Sequence, residues 1–246
     1  MNMSQAVPLA ADDVAPAATG ERSIEWLGVV ALLALAGAQL LGILGSPPDR
    51  DMGHLQKIMY VHVPAAWNAF IAYFVVAIAS LLYLWKGQER HDLLAASAAE
   101  VGAMLTALTL VLGSIWGRPT WGIWWTWDAR LTWAFITCLI YAGYLMMRNA
   151  IDEPSARARY ASVLCIFAFT SVVITFKAIE WWRTQHPGPV LSIRSGGGRM
   201  DPAMESILYQ NWFALLMIAA VMVAVRMRQE GVLREVESLR RRVHAA

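Results

Sequence analysis

The chain has 246 residues, of which 58% are hydrophobic and only 15% are charged, with a formal net charge of +2 at pH 7. A soluble domain carries about a quarter charged residues, so this composition indicates a membrane protein. The small net charge gives no reason to expect nucleic acid as a partner.

Six apolar stretches are long enough to cross a bilayer core, which takes about 20 residues per helix. In chain order they are 24–45, 63–85, 93–115, 129–147, 160–182 and 206–226. We predict a helix for each stretch, because a backbone in lipid must satisfy its own hydrogen bonds. The predicted fold is an all-α integral membrane protein, a bundle of six transmembrane helices over residues 23–226.

The two segments that flank this bundle differ in character. Residues 1–22 are rich in alanine and contain acidic residues, which predicts a disordered tail and not a cleaved signal sequence. Residues 227–246 have apolar residues at helical spacing and a basic run, Arg240 to Arg242. This pattern predicts an amphipathic basic helix on the anionic membrane surface. A docking helix for a cytoplasmic subunit is the alternative.

Charge predicts which side of the membrane each loop faces. With six spans both termini share one side, whose segments carry twelve Lys or Arg residues when Arg226 is included. The three loops on the other side carry seven. The positive-inside rule therefore places both termini in the cytoplasm. The outer loops are 46–62, 183–205 and a Trp-rich loop, 116–130, between spans three and four.

The Trp-rich segment, WGRPTWGIWWTWDAR, holds five of the chain's twelve tryptophans. One interpretation is an interfacial belt, because Trp favours the headgroup region. The other is a flat shelf for a planar apolar ligand, in which a short helix after Gly122 aligns Trp121, Trp124 and Trp125. Gly117, together with a proline and Gly122, argues against a regular helix over residues 116–121. Sequence alone leaves both interpretations open.

Three charged residues accompany these tryptophans. Arg118 and Arg130 bracket the segment, and guanidinium groups hold carboxylates bidentately. Asp128 immediately precedes the fourth span. We predict that it caps the N-terminus of that helix, where its charge faces the positive helix end.

Haem is a planar ligand with carboxylate edges, and its iron takes axial nitrogen ligands. His62 and His186 lie at span ends on the same side and in different segments, as ligands for opposite haem faces must. Ordinary interfacial polar residues are the alternative. His54 competes with His62, because a gap of eight residues places both on one helical face.

Spacing also suggests roles for the other reactive groups. Cys138 and Cys165 fall in the fourth and fifth spans, and we expect packing and no disulfide between them. Lys177 and Glu180, three residues apart, are expected to pair. For Glu100, packing against a neighbouring helix and an unidentified polar partner both stay open.

The segment WGRPTWGIWWTWDARLT resembles the signature of the WWD family of haem-handling proteins in cytochrome c assembly. KIMYVHVPAAW and EWWRTQH resemble the two histidine-bearing segments of its CcmC branch, and the resemblance covers residues 55–226. It implies a bacterial inner-membrane protein that holds haem b at the periplasmic face and delivers it to the haem chaperone CcmE. It also implies that the protein acts together with CcmA and CcmB, which form an ATP-binding cassette module, and with the small subunit CcmD.

The resemblance assigns axial iron ligation to His62 and His186, and the haem platform to Trp116 through Asp128. His54 has no counterpart in the motif, and Pro187 stands where the family usually has Gln. The candidate haem-binding residues are His62, His186, Trp116, Trp121, Trp124, Trp125, Trp127, Asp128, Arg118 and Arg130. The expected function is haem transfer and not enzymatic catalysis, with a small-solute permease or a haem lyase as alternatives.

Overall fold

A computed structural model describes residues 15–187 and 200–245 of the chain. Its helices are α1 Ala15–Leu40, α2 Met59–Lys86, α3 Glu89–Trp121, α4 Ala129–Ala150, α5 Pro154–Trp181 and α6 Pro202–Ala245. A π-helical turn, Leu41–Gly45, and a 3-10 helix, His54–Ile58, connect α1 to α2. No strand forms within the described residues, and six helices are long and apolar enough to cross a membrane. The prediction of an all-α protein with six spans is confirmed.

Small residues and buried tyrosines build the centre of the bundle. Alanines from α2, α3 and α5 dominate the core, and such residues let helix backbones approach closely in a membrane. Tyr73 of α2 stacks on Tyr141 of α4, with ring centroids 3.8 Å apart. A Cβ atom at Gly102 of α3 would lie 2.8 Å from Cε1 of Tyr73. Glycine is therefore required where α3 passes this tyrosine.

Side-chain amides fix α1 against α6. Nε2 of Gln39 donates to Oδ1 of Asn211 at 2.7 Å, and Nδ2 of Asn211 donates to the carbonyl of Ala38 at 3.0 Å. Asn211 is completely buried. In an apolar bundle such a side chain must find partners within the protein, and here it holds an otherwise lipid-exposed helix in place.

An ionic cluster joins three helices at the opposite end of the bundle from the Trp-rich segment. Arg148 of α4 donates to both carboxylate oxygens of Asp92 in α3, at 2.7 and 2.9 Å. Arg234 of α6 donates to the same carboxylate at 2.8 Å. Bidentate charge-assisted bonds of this kind are the strongest in proteins, so this cluster fixes the relative positions of α3, α4 and α6.

The other charges and thiols within the spans behave largely as expected. Lys177 donates to Glu180 at 2.8 Å, as predicted. Cys138 and Cys165 are both free, as predicted. The polar partner that the sequence left unidentified for Glu100 is a guanidinium of α6, that of Arg226, at 2.5 and 2.7 Å.

Both terminal segments depart from the predictions. Helix α1 begins at Ala15, so the disordered tail predicted for residues 1–22 is wrong for residues 15–22. The alanines there have high helix propensity and extend the span outwards. Residues 1–14 lie outside the described part of the chain.

At the other terminus, α6 runs without interruption for 44 residues, which is about 66 Å of helix. Residues 227–245 therefore continue the sixth span and do not form a separate helix along the membrane surface. Helix formers fill residues 227–245. In the whole of α6, Gly231 is the only glycine and Pro202, at the first position, is the only proline. The extension also bonds to the start of α3 through Arg234, which explains why the chain does not turn away.

Candidate functional site

Four chain segments bring the candidate residues to one end of the bundle. His62 lies in the first turns of α2, the tryptophans lie at and after the end of α3, and Asp128 directly precedes α4. His186 follows the end of α5. Because successive spans run in opposite directions, these four positions meet at the same membrane face.

The end of α3 corrects one prediction. Residues 116–121 are regular helix, although we expected Gly117 and Pro119 to prevent it. Pro119 sits in the last turns, and the hydroxyl of Thr120 donates to the carbonyl of Trp116 at 2.8 Å. The helix ends at Gly122, whose φ of 81° is left-handed and whose N–H bonds to the carbonyl of Arg118. Glycine at this position is the common helix stop.

The tryptophans that follow do not form the shelf that a short helix would build. Residues 122–128 contain no helix. The rings of Trp125 and Trp127 meet edge to face, with centroids 5.6 Å apart and planes at 80°, and Phe135 of α4 completes this cluster. Trp124 and Trp127 are largely exposed. The result is an angular aromatic surface and not a single plane.

His62 is buried against α3. Its ring lies edge-on to Trp116, with centroids 5.6 Å apart and planes at 79°. A Cβ atom at Gly113, one turn earlier on α3, would lie 3.1 Å from Cε1 of His62. The imidazole therefore occupies the space that the missing side chain of Gly113 leaves open.

Among the candidate residues, three nitrogen atoms are buried without a hydrogen-bond partner in the described part of the chain. They are Nδ1 of His62 and the indole Nε1 atoms of Trp116 and Trp125. Buried polar atoms normally have partners, and exceptions often mark the place of a ligand or of water. Two unsatisfied N–H donors and an imidazole nitrogen suit a ligand with acceptor atoms and a metal.

Asp128 holds two elements with one carboxylate. Its Oδ1 accepts the N–H of Leu131 at 3.0 Å, so the predicted cap of α4 is confirmed. Its Oδ2 accepts the hydroxyl of Thr184 at 3.1 Å and the N–H of Gln185 at 3.2 Å. Since His186 is the next residue, Asp128 fixes the chain that carries this imidazole.

His186 is half-buried and has one ring nitrogen committed. Its Nδ1 lies 2.9 Å from the carbonyl of Pro187, which only accepts, so Nδ1 carries the proton. Nε2 then has a free lone pair. Burial, followed by the charge of Arg130, lowers the pKa of His186 to about 4, so the imidazole is neutral at physiological pH. A neutral imidazole with a free Nε2 is the form that binds iron.

The two candidate arginines are used differently. Arg118 donates to the carbonyl of Gly122 and so closes the end of α3. Arg130 is half-buried in the first turn of α4, and its charge acts on both His62 and His186. Arg130 is therefore the candidate cation that lies near both imidazoles.

His54 does not share a face with His62. It is exposed and begins the 3-10 helix that precedes α2. The sequence-based expectation of one continuous helical face is therefore wrong, because the 3-10 segment changes the residue period before α2 starts.

Comparison with known proteins assigns the family. Residues 8–242 match the CcmC family profile, described as "Heme exporter protein C". The chain belongs to the CcmC family. Its relatives include the protein named "Heme exporter protein C" from Escherichia coli (strain K12), 34% identical over 83% of this chain and 82% of the relative. Proteins of the same name from Bradyrhizobium diazoefficiens and Rhodobacter capsulatus are 36% and 31% identical. These matches cover 89% and 93% of this chain, and 82% and 94% of the relatives.

Three residues that contact the candidate site were not identified from the sequence. Thr184 and Gln185 contact Asp128 across 56 and 57 positions of sequence, which no local pattern reveals. Gly113 is an isolated glycine in an apolar span. Such a glycine often marks a close approach, so a signal existed, but the sequence did not indicate that His62 fills the space.

Proposed function

We propose that this protein binds haem at the periplasmic face of the bacterial inner membrane and hands it to the chaperone CcmE. Haem is cargo in this proposal, ligated on one face by His62 and on the other by His186. The observation that carries the proposal is the shared environment of these residues. The charge of Arg130 influences the protonation of both imidazoles, and His62 influences the protonation of His186.

The chemistry of the two histidines supports axial ligation. Each comes from a different segment, so their rings can approach one iron from opposite sides. Nε2 of His186 has a free lone pair because the carbonyl of Pro187 takes the proton of Nδ1. A second interaction that fixes the tautomer is typical of metal-ligating histidines. His62 offers a buried nitrogen that lacks a partner among the described residues.

The tryptophans support a porphyrin platform with polar edges. The rings of Trp124 and Trp127 are exposed at the end of the bundle where the two histidines lie. Indole faces bind flat apolar ligands. The unsatisfied N–H groups of Trp116 and Trp125, with the guanidinium of Arg130, are suited to haem propionates. We propose haem b, which needs no covalent bond to this chain.

The relatives' names, "Heme exporter protein C", support a role in haem export for cytochrome c maturation. We propose that both termini are cytoplasmic, as the distribution of Lys and Arg indicates. The proposed partners are CcmA and CcmB of an ATP-binding cassette module and the small subunit CcmD. A lyase or a small-solute permease has no specific observation in its favour.

Three histidine variants of the full-length membrane protein test ligation. We expect His62→Ala and His186→Ala to purify with several-fold less haem than wild type, with a shifted Soret band and reduced transfer to CcmE. His54→Ala is the matched control, since this exposed histidine lies on the same face of the membrane, and should behave like wild type. Undiminished haem and transfer in both single variants would contradict the proposal. No Soret band in haem-supplied wild type would favour a permease.

A further inference from the structure

An apolar stripe follows the far half of α6, where the helix continues beyond the sixth span. Val232, Val236, Leu239 and Val243 recur every three or four residues, so they lie on one face of the helix. Each is between 40% and 74% exposed. Amphipathic helices normally turn such a face towards the protein, so this one lacks a partner within the described residues.

The opposite face of the same helix is held by the bundle. Arg234 donates to Glu89 at 3.3 Å, to Asp92 at 2.8 Å and to Glu230 at 3.0 Å, and it is only 12% exposed. At about 100° per residue, Arg234 and Arg241 point away from the stripe. The helix therefore cannot rotate to bury the stripe against its own bundle without breaking the ionic cluster.

Within the membrane, α1 covers the corresponding side of α6. A Cβ atom at Gly28 of α1 would lie 3.7 Å from Val221, which shares the face of the stripe. Past this contact the same face continues as Val232 to Val243, and there it is exposed. The stripe thus lies on the same face of α6 that α1 contacts at Val221.

The stripe has the spacing of a coiled-coil seam. With Gln229 at an a position, Val236 and Val243 also fall at a, and Val232 and Leu239 fall at d. β-branched residues at a with Leu at d favour two parallel strands. Two copies inserted with the same topology present their α6 extensions in parallel, and the membrane concentrates them.

Charges beside the seam fit the same pairing. Glu235 falls at a g position and Arg240 at the following e position. In a parallel pair, a g residue faces the e residue five positions later on the other strand. Glu235 would therefore meet Arg240 of the second copy, twice by symmetry. If the helix lay on a bilayer surface instead, Glu235 would have no such pairing partner.

We propose that the α6 extension, residues 229–243, is a dimerisation surface that pairs two copies of this chain in a parallel coiled coil. The seam is Val232, Val236, Leu239 and Val243, and the Glu235–Arg240 pairs fix its register. The ionic cluster at Asp92 holds each extension in the orientation that exposes the seam.

Disulfide formation in native membrane vesicles tests the pairing. The full chain with Val236→Cys is expected to yield a homodimer under mild oxidation, and Leu239→Cys provides an independent second variant. Ser238→Cys is the matched control, because it places a thiol on the other side of the helix. We expect several-fold less dimer from this control and from wild type, whose two cysteines lie in spans. Equal yields from seam and control positions, or none at either seam position, would overturn the proposal.

Charge reversal tests the register. Glu235→Arg and Arg240→Glu, each in the Val236→Cys background, should lower the dimer yield several-fold. The double reversal should restore it, which a merely structural effect on α6 would not do. A failure to restore would overturn the predicted pairs. An adduct at residue 236 with a different protein, or a lipid-like signal from a fluorophore there without any dimer, would replace the second copy with that partner.

Discussion

Asp128 and Thr184 are 56 residues apart in sequence, and the hydroxyl of Thr184 donates to Oδ2 of Asp128 at 3.1 Å. The same oxygen accepts the N–H of Gln185, while Oδ1 caps α4. One carboxylate therefore ties the start of α4 to the chain that carries His186. The aspartate of the Trp-rich segment positions a histidine from a distant part of the sequence.

Asp128→Asn is expected to weaken haem retention about 10-fold or more, the usual effect of losing a group that orients a metal ligand. Asparagine keeps one oxygen for the helix cap, but its amide group cannot accept from Thr184 and Gln185. Haem titration followed by the Soret band measures the effect. Glu153→Gln is the matched control, because Glu153 caps α5 at the other end of the bundle. Equal effects of the two variants would show that only helix capping matters.

Gly113→Ala is expected to reduce haem binding several-fold by displacing His62, since the added Cβ would lie 3.1 Å from its Cε1. Alanine also favours the helix by about 1 kcal/mol, so loss of binding would not reflect a weaker helix. Gly143→Ala in α4 is the control, because nothing lies within 4 Å of its added Cβ. Retained binding by Gly113→Ala would mean that His62 tolerates a shift.

The depressed pKa of His186 predicts the pH range of haem retention. Its pKa is lowered from the ordinary 6.5 to about 4, so the imidazole stays neutral and able to ligate iron above that value. We expect retention to be constant from pH 8 to about 5 and to fall as the pH approaches 4. A titration of the Soret band gives the midpoint. A wild-type midpoint near 6.5 would contradict the expectation.

Arg130→Gln should move this midpoint to higher pH. Removing the positive charge makes protonation of His186 easier and raises its pKa, so proton competition begins earlier. Arg118→Gln is the control, since Arg118 closes the end of α3 through the carbonyl of Gly122. The compared quantity is the midpoint and not the amount of haem bound. An unchanged midpoint in Arg130→Gln would remove this residue from the electrostatics of the site.

Two ion pairs of different burial should differ in their effect on stability. Asp92 and Arg148 are 2% and 6% exposed, so Asp92→Asn leaves buried charge unpaired and should cost about 3–5 kcal/mol of unfolding free energy. Glu100 and Arg226 are each 35% exposed, so Glu100→Gln leaves a less deeply buried charge unpaired and should cost less than Asp92→Asn. Unfolding in detergent, followed by circular dichroism, compares them. A larger loss for Glu100→Gln would contradict this ranking.

The sequence by itself determined the six spans, the N-cap at Asp128 and the pair Lys177–Glu180. Each depends on local composition or on spacing within one helix, where backbone geometry fixes which residues are neighbours. The same local rules were wrong for residues 116–121, because a proline in the last turns of α3 did not end the helix before Gly122.

Only the tertiary structure decided how the candidate residues relate to one another. Three relationships join segments that are distant in sequence: the contacts of Asp128 with Thr184 and Gln185, the fit of His62 against Gly113, and the position of Arg130 near both histidines. The physical reason is that helix packing sets these distances, and the rotation of each helix about its axis is not written in its own periodicity. For the same reason, only the folded chain revealed that the bundle holds the polar face of the α6 extension and leaves its apolar face exposed.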